Sequence, residues 1–127
     1  MKLIIATPSP FARKARVVLR EKKFTFEEII DVPWNKDTIT KDLNPLGKIP
    51  ILLQQDAEPL YDSTVIVQYL ENLKKSPRMF PLDAKDNIQA RLIEATSDGV
   101  CDAVVLIYLE HSRSINLRSN ALSLIHI

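Results

Sequence analysis

Two hydroxyl side chains stand where helices are predicted to begin. Ser9 precedes Pro10, and Ser63 follows Asp62 just before an apolar helical pattern. Ser, Asp and Pro are common at helix starts, so each pair could serve only as an N-cap. The free N–H groups of a helix start also suit a carboxylate, to which Ser63 could donate while Asp62 meets an ammonium group. For Asp62 and Ser63 the residues alone therefore allow either a cap or a binding site.

The composition excludes several classes of protein. Apolar residues make up 46% of the 127 residues and charged residues 26%, which is typical of a globular domain with a buried core. Seventeen basic and sixteen acidic side chains leave a net charge of +1, so no strong field favours nucleic acid or an anionic membrane. No apolar run approaches the roughly 20 residues of a membrane span. One cysteine and two histidines exclude a disulfide framework and a structural zinc site, and a cytoplasmic location is expected.

The first part of the chain predicts a strand, a helix and a second strand. The apolar run 3–6 stops at the prolines of 7–10, as expected for a strand buried on both faces. From Phe11 onward, apolar residues recur at helical spacing and predict an amphipathic helix. The basic residues between them predict that its outer face is solvated. The β-branched and aromatic segment 24–30 predicts the second strand. This order favours a right-handed parallel βαβ unit.

The following residues predict a short helix, a hairpin and a longer helix. A helix over 37–43 would end at the Pro and Gly of 44–47. The apolar runs 51–53 and 59–61 are joined by polar residues and predict an antiparallel hairpin. A helical stripe then follows the Asp62–Ser63 pair and ends before 74–77.

Beyond residue 76 the sequence predicts one long helix. Residues 77–83 form a predicted linker, and Asp83 is suited to cap a helix over 84–113. Gly99 lies on its apolar stripe and costs about 1 kcal/mol relative to alanine, so close approach of another backbone is expected there. Cys101, near the stripe, is expected to be a packed core thiol. Residues 114–127 have no acidic residue or clear cap and are expected to be an atypical tail.

Three segments of the chain together resemble a known family. They are Thr7–Val17, Asn44–Leu52 and Leu60–Ser63. In this order and spacing they resemble the N-terminal domain of bacterial cytosolic glutathione transferases. The resemblance covers about residues 1–112 and implies an α/β protein: a thioredoxin-like βαβ-α-ββ-α domain over 1–76, followed by the start of an all-α domain. It also implies a homodimer, and a chain that is truncated relative to the family.

Within this resemblance, Ser9 is expected to donate a hydrogen bond to the glutathione sulfur and so favour the thiolate. A free thiol has a pKa of about 8.5, and lowering it by two units requires about 2.7 kcal/mol. A hydrogen bond to a charged group supplies roughly 1.5–3 kcal/mol, and a helix N-terminus roughly 0.3–1 kcal/mol more. One hydroxyl at a helix start is therefore sufficient in principle. Thr7 is the alternative donor, and a purely capping Ser9 is the alternative without catalysis.

The resemblance implies contacts to each part of glutathione. Asp62 and Ser63 would hold the γ-glutamyl end, and the backbone of Ile49, before a cis Pro50, would pair with the cysteinyl part. The isomer of the Ile49–Pro50 bond cannot be fixed from sequence. The glycine carboxylate needs a cation or an indole donor. The candidates for this donor lie in the flanking loops and are Trp34, Lys36 and Lys48. Phe11 is a further contact to glutathione that the resemblance implies.

The implied activity is attack of the glutathione thiolate on a small electrophile, a reaction of detoxification. Glutathione is then a co-substrate, and no metal is expected because glutathione itself supplies the nucleophile. Two alternatives share the same fold: a non-catalytic protein-interaction module and an inactive truncated fragment. The electrophile cannot be identified, because later helices build much of its pocket in such transferases.

Overall fold

A computed structural model describes residues 1–119 of the chain. Residues 120–127, the second half of the predicted tail, lie outside the described residues. The chain divides into two compact units, Met1–Met79 and Phe80–Ile127. Each unit is described by itself below.

The first unit is a four-stranded mixed sheet with three helices. Its strands are β1 (Lys2–Ile5), β2 (Glu27–Ile30), β3 (Ile51–Leu53) and β4 (Leu60–Tyr61), and its helices are α1 (Pro10–Glu21), α2 (Thr40–Leu43) and α3 (Ser63–Leu73). The strand order is β2-β1-β3-β4. β1 and β2 are parallel, whereas β3 is antiparallel to both β1 and β4. The predicted order βαβ-α-ββ-α is confirmed.

The core lies between the sheet and the packed helices. β1 is buried along Leu3–Ile5, as expected for a strand covered on both faces. The largest apolar side chains that join it are Leu19 from α1, Ile51 and Leu52 from β3, and Ile66 and Leu70 from α3. Each such side chain contributes roughly 1.5–3 kcal/mol by leaving water.

Two predicted elements begin later than expected. β2 starts at Glu27 rather than residue 24, because the end of α1 uses the intervening residues as a C-cap. Lys23 has a φ of 54°, and the Phe24 N–H donates to the Leu19 carbonyl. The short helix α2 starts at Thr40 rather than residue 37. The residues before it form turns that are described below with the site.

The prediction that the basic residues of the first helix form a solvated face is wrong at Lys22, the C-cap residue of α1, and in part at Arg16. Lys22 is 0% exposed, and its Nζ lies 2.6 Å from Glu71 Oε2. The same Nζ donates to the carbonyl oxygens of Lys74 and Pro77 at 2.6 and 2.7 Å. Arg16 is half-buried and its Nε donates to a carboxylate on β2 at 2.9 Å. These cations therefore serve contacts within the unit.

Up to residue 119, the second unit contains one long helix and the turn that follows it. α4 spans Ala84–His111, and Asp83 caps it by accepting from the Lys85 and Asp86 N–H groups, as predicted. A 3-10 turn, Ile115–Leu117, follows. The Arg118 guanidinium then donates to the carbonyls of Arg113 and His111 at 3.0 and 2.7 Å. These bonds satisfy carbonyl groups at the end of the helix.

Much of the apolar surface of α4 is exposed. Ile88, Leu92, Val100 and Val104, all on the predicted stripe, are exposed. The expected close approach at Gly99 is wrong for residues 1–119, because a Cβ built there meets no atom within 4 Å. Cys101 is half-buried. Across the described residues no helix is both long and apolar enough to cross a membrane.

Candidate functional site

Four segments meet at one edge of the sheet. Ile51, at the start of β3, pairs with Ile4 of β1 and with Tyr61 of β4. The amino end of β3 therefore lies beside the carboxyl ends of β1 and β4. Ile5 pairs with Ile30, so the carboxyl end of β2 reaches the same edge. The segments that leave this edge are 6–9, 31–39, 48–50 and 62–63.

The start of α1 is capped by Ser9. Its Oγ accepts from the Ala12 N–H at 3.1 Å, and its carbonyl accepts from the Arg13 N–H. The predicted capping role is thus confirmed. A hydroxyl has one proton to donate as well as lone pairs to accept, so the half-buried Ser9 can still donate to a bound anion. Within the described chain, the Phe11 N–H has no hydrogen-bond acceptor.

The start of α3 is built in the same way. Oδ1 of Asp62 accepts from the Thr64 and Val65 N–H groups at 2.8 and 3.3 Å. Ser63, the first helical residue, is 4% exposed, and residues 1–119 provide no acceptor for its N–H. Asp62 has a φ of 69°, a conformation that costs a residue other than glycine free energy and that often marks binding sites.

Helices α1 and α3 run parallel, so both positive ends lie at this edge. Near their starts, Lys14 Nζ donates to Thr64 Oγ1 at 3.1 Å. Near their ends, Lys22 contacts both Glu71 and the Lys74 carbonyl. A helix N-terminus carries an effective charge of about +0.5. Both starts therefore place partial positive charge at this edge of the sheet.

Pro50 lies between these two helix starts in the sheet order. The Ile49–Pro50 peptide bond is cis, which answers the question that the sequence left open. Pro50 is buried and Ile49 is half-buried. Lys48 is exposed, and its carbonyl accepts from the Asn44 side-chain amide at 2.7 Å.

The loop after β2 carries the other predicted contacts. Trp34 is 58% exposed and Lys36 is exposed, so both side chains are accessible to a ligand. Asp31, where the loop begins, accepts hydrogen bonds from Thr38 and Thr40. Burial of the Asp31 carboxyl opposes its ionisation, but these hydrogen bonds outweigh that effect and lower its pKa.

Sequence reasoning missed Asp31, Thr40 and Asn44. Asp and Asn next to turns commonly form hydrogen bonds to nearby backbone groups. The positions of Asp31 and Asn44 beside predicted turns could therefore have indicated their roles. Most of the predicted site residues lie in the four segments at the shared edge, namely Ser9, Trp34, Lys36, Lys48, Ile49, Pro50, Asp62 and Ser63. Phe11 is the second residue of α1, directly after the first of these segments. Among residues 1–119 no group of three or more His, Cys, Asp or Glu side chains could hold a metal ion.

Comparison with known proteins identifies the family. The family model for the N-terminal domain of glutathione S-transferases matches residues 8–73, more than half of the chain. The chain belongs to the glutathione S-transferase family. The matched range contains both helix starts and the Ile49–Pro50 bond.

Individual glutathione S-transferases and related proteins show the same likeness. The uncharacterized GST-like protein YibF of Escherichia coli (strain K12) is 40% identical over 113 residues, 89% of this chain and 56% of YibF. The glutathione S-transferase of Methylobacterium radiotolerans, solved with glutathione sulfonate, is 42% identical with a TM-score of 0.90, over 95% of this chain and 57% of that one. The glutathione S-transferase of Methylobacillus flagellatus, solved with glutathione bound, is 40% identical with a TM-score of 0.87, over 95% and 60%.

These likenesses confirm the predicted fold class. The first unit is a thioredoxin-like domain of the glutathione S-transferase type, and a helical segment follows it. The chain spans 56–60% of the length of the three relatives named above.

Proposed function

We propose that this chain binds glutathione at the edge of the sheet where α1 and α3 begin, and that Ser9 activates the glutathione thiol. The observation that carries the proposal is the pair of parallel helix starts on either side of Pro50. One start is suited to a thiolate and the other to a carboxylate, because each has a capping side chain and an N–H group without an acceptor in residues 1–119. Two related proteins were solved with glutathione or its sulfonate bound.

Ser9 is the proposed catalytic residue. Its Oγ accepts the Ala12 N–H, which polarises the hydroxyl and strengthens its donation to the glutathione sulfur. The thiol proton leaves to water, and the thiolate then forms a sulfur–carbon bond to the electrophile as the leaving group departs with its electron pair. The Phe11 N–H, which has no acceptor among residues 1–119, and the positive end of α1 add to the stabilisation of the thiolate.

The remaining contacts hold the peptide in place. The N–H and hydroxyl of Ser63 donate to the γ-glutamyl carboxylate, and the Asp62 carboxylate meets the ammonium group. The backbone of Ile49, preceding Pro50, pairs with the cysteinyl part. The loop residues proposed for the glycine carboxylate are Trp34, Lys36 and Lys48.

At the level of the whole protein, we propose a cytoplasmic homodimer that detoxifies small electrophiles. Reduced glutathione is abundant in the cytosol, where a free thiol such as Cys101 also persists. The exposed apolar surface of α4 offers a surface for a second subunit.

The test measures glutathione binding by calorimetry and conjugation of an aryl halide by the same samples. Ser63→Ala is expected to weaken binding, and Ser9→Ala to slow conjugation ten- to a hundredfold, the range that corresponds to roughly 1.5–3 kcal/mol for a hydrogen bond to a charged group. Thr7→Val is the matched control, because Thr7 is an exposed hydroxyl of the same loop.

The outcomes separate the alternatives. Loss of the thiolate absorbance of bound glutathione in Ser9→Ala, with no change in Thr7→Val, would support the assignment. The reverse pattern would transfer the role to Thr7. Binding without conjugation by the unaltered chain would overturn the catalytic part of the proposal, and a folded chain that binds no glutathione would overturn all of it.

A further inference from the structure

The loop between β2 and α2 is held at both ends by one carboxylate. Oδ2 of Asp31 accepts from Thr38 Oγ1 at 2.7 Å, from Thr40 Oγ1 at 2.6 Å and from the Thr40 N–H at 3.0 Å. These partners follow Asp31 by seven and nine residues in the chain. The bonds therefore close a loop whose outer residues include Trp34 and Lys36.

This carboxylate bonds to both ends of the loop through one of its two oxygens. Three donors converge on Oδ2. Hydrogen bonds to an ionised acceptor are about twice as strong as neutral ones. Thr40 is fully buried, so water does not compete for its hydroxyl. Asp31 thus fixes where the loop begins and where it ends.

The same arrangement continues to the other side of the site. The Asn44 N–H donates to the Thr40 carbonyl at 2.9 Å across the single turn of α2. The buried Asn44 side chain then accepts from the Leu46 N–H at 2.9 Å and donates to the Lys48 carbonyl at 2.7 Å. Asp31, Thr40 and Asn44 form a continuous polar frame. It joins the loop of Trp34 and Lys36 to the loop of Lys48.

We propose that Asp31 is a positioning residue for recognition of the glycine end of glutathione. The frame holds the two loops that carry the cations and the indole proposed for the glycine carboxylate. This inference rests on the proposed function. In this proposal Asp31 acts through Thr40, and the protein therefore binds glutathione more tightly than a peptide that lacks glycine.

The experiment compares glutathione with γ-glutamylcysteine, which has the same thiol and γ-glutamyl end but no glycine. Asp31→Ala is expected to raise the Kd for glutathione about tenfold and the Kd for γ-glutamylcysteine less than about twofold, measured by calorimetry. Thr40→Val keeps the side-chain volume, removes one of the three bonds and is expected to change the ratio in the same direction. It keeps the test available if Asp31→Ala does not fold.

Glu28→Gln is the matched control, because Glu28 is also a half-buried acid of the β2 segment but bonds to Arg16 and Arg20 of α1. It is expected to leave the ratio of the two Kd values unchanged. Equal weakening of both peptides by Asp31→Ala and Thr40→Val would reduce these residues to a general structural role and overturn the inference alone. An unaltered chain that bound neither peptide would overturn the proposed function, and this inference with it.

Discussion

Replacement of Lys22 by methionine is expected to destabilise the first unit more than any surface charge replacement. The Lys22 side chain is fully buried, and that of Glu71 is 10% exposed. Methionine fits a similar volume but donates no hydrogen bond. It therefore leaves a carboxylate and the carbonyls of Lys74 and Pro77 without their ammonium donor.

The magnitude follows from those three acceptors. Breaking a buried ion pair by removing one partner costs about 3–5 kcal/mol, and each carbonyl left unpaired costs roughly 1–3 kcal/mol if water does not reach it. The expected loss is therefore at least about 3 kcal/mol, the lower end for the ion pair alone. With a urea dependence near 2 kcal/mol per molar, the unfolding midpoint falls by at least about 1.5 M.

The assay is urea unfolding followed by far-ultraviolet circular dichroism. Glu71→Gln is the milder variant, because glutamine keeps an oxygen that accepts from Lys22 and from the Met79 N–H. It is expected to lose about 1–2 kcal/mol. The control is Glu28→Gln, whose more accessible ion pairs with Arg16 and Arg20 are expected to contribute less than about 1 kcal/mol. A midpoint for Lys22→Met no lower than that of the control would refute the reasoning.

Two further predictions concern helix α4 and acid stability. Gly99→Ala is expected to stabilise α4 by about 0.5–1 kcal/mol, because alanine has a higher helix propensity than glycine. A Cβ at this position meets no atom of the described chain within 4 Å, so the methyl group fits. The gain is measured as a rise in the thermal unfolding temperature. Burial raises the pKa values of Asp31 and Glu71, but hydrogen bonds outweigh it and lower both pKa values. The two carboxylates therefore stabilise the folded state above about pH 5. This stabilisation is lost as the pH falls through the lowered pKa values, below about pH 4. Urea midpoints across this range measure the effect.

Each of these two predictions has a distinct contrary result. A Gly99→Ala chain that unfolds at a lower temperature would show that the position needs glycine for close packing. For the acid prediction, the control is the double variant Asp31→Asn, Glu71→Gln, whose urea midpoint should depend less on pH. Equal pH dependence in the double variant and the unaltered chain would contradict the assignment to these two carboxyls.

Local patterns were sufficient to predict most of the helices and strands, whereas the thioredoxin-like fold class was implied by the family resemblance. The apolar run at 3–6, the capping residues Ser9, Asp62 and Asp83, and the Pro and Gly near residue 45 each act through neighbouring backbone. Such signals depend on the few residues around them, so they can be interpreted without the tertiary structure. The convergence of the candidate site at one sheet edge then follows from the strand order.

The features that the sequence did not reveal depend on distant contacts. Lys22 lies among other basic residues and looked solvated, yet its carbonyl partners are 52 and 55 residues away. The Ile49–Pro50 isomer has no local determinant strong enough to predict it. The Asp31 frame joins residues through the turn of α2, whose start was placed three residues too early. Gly99 was assigned a packing role that the described residues do not provide.

The parallel packing of α1 and α3 sets an electrostatic requirement at each end of the pair. Side-by-side parallel helices place like partial charges together, which is unfavourable unless opposite charge is nearby. At the carboxyl ends, the ammonium groups of Lys22 and Lys74 each donate to the carbonyl of the other residue, so the protein supplies its own compensation. At the amino ends, Asp62 compensates α3, whereas the first turn of α1 has no acidic side chain. The carboxyl ends of the pair are thus neutralised within the protein, whereas the start of α1 has no acidic side chain in its first turn. The packing of the two helices therefore leaves uncompensated positive partial charge at the start of α1, which favours an anionic ligand there.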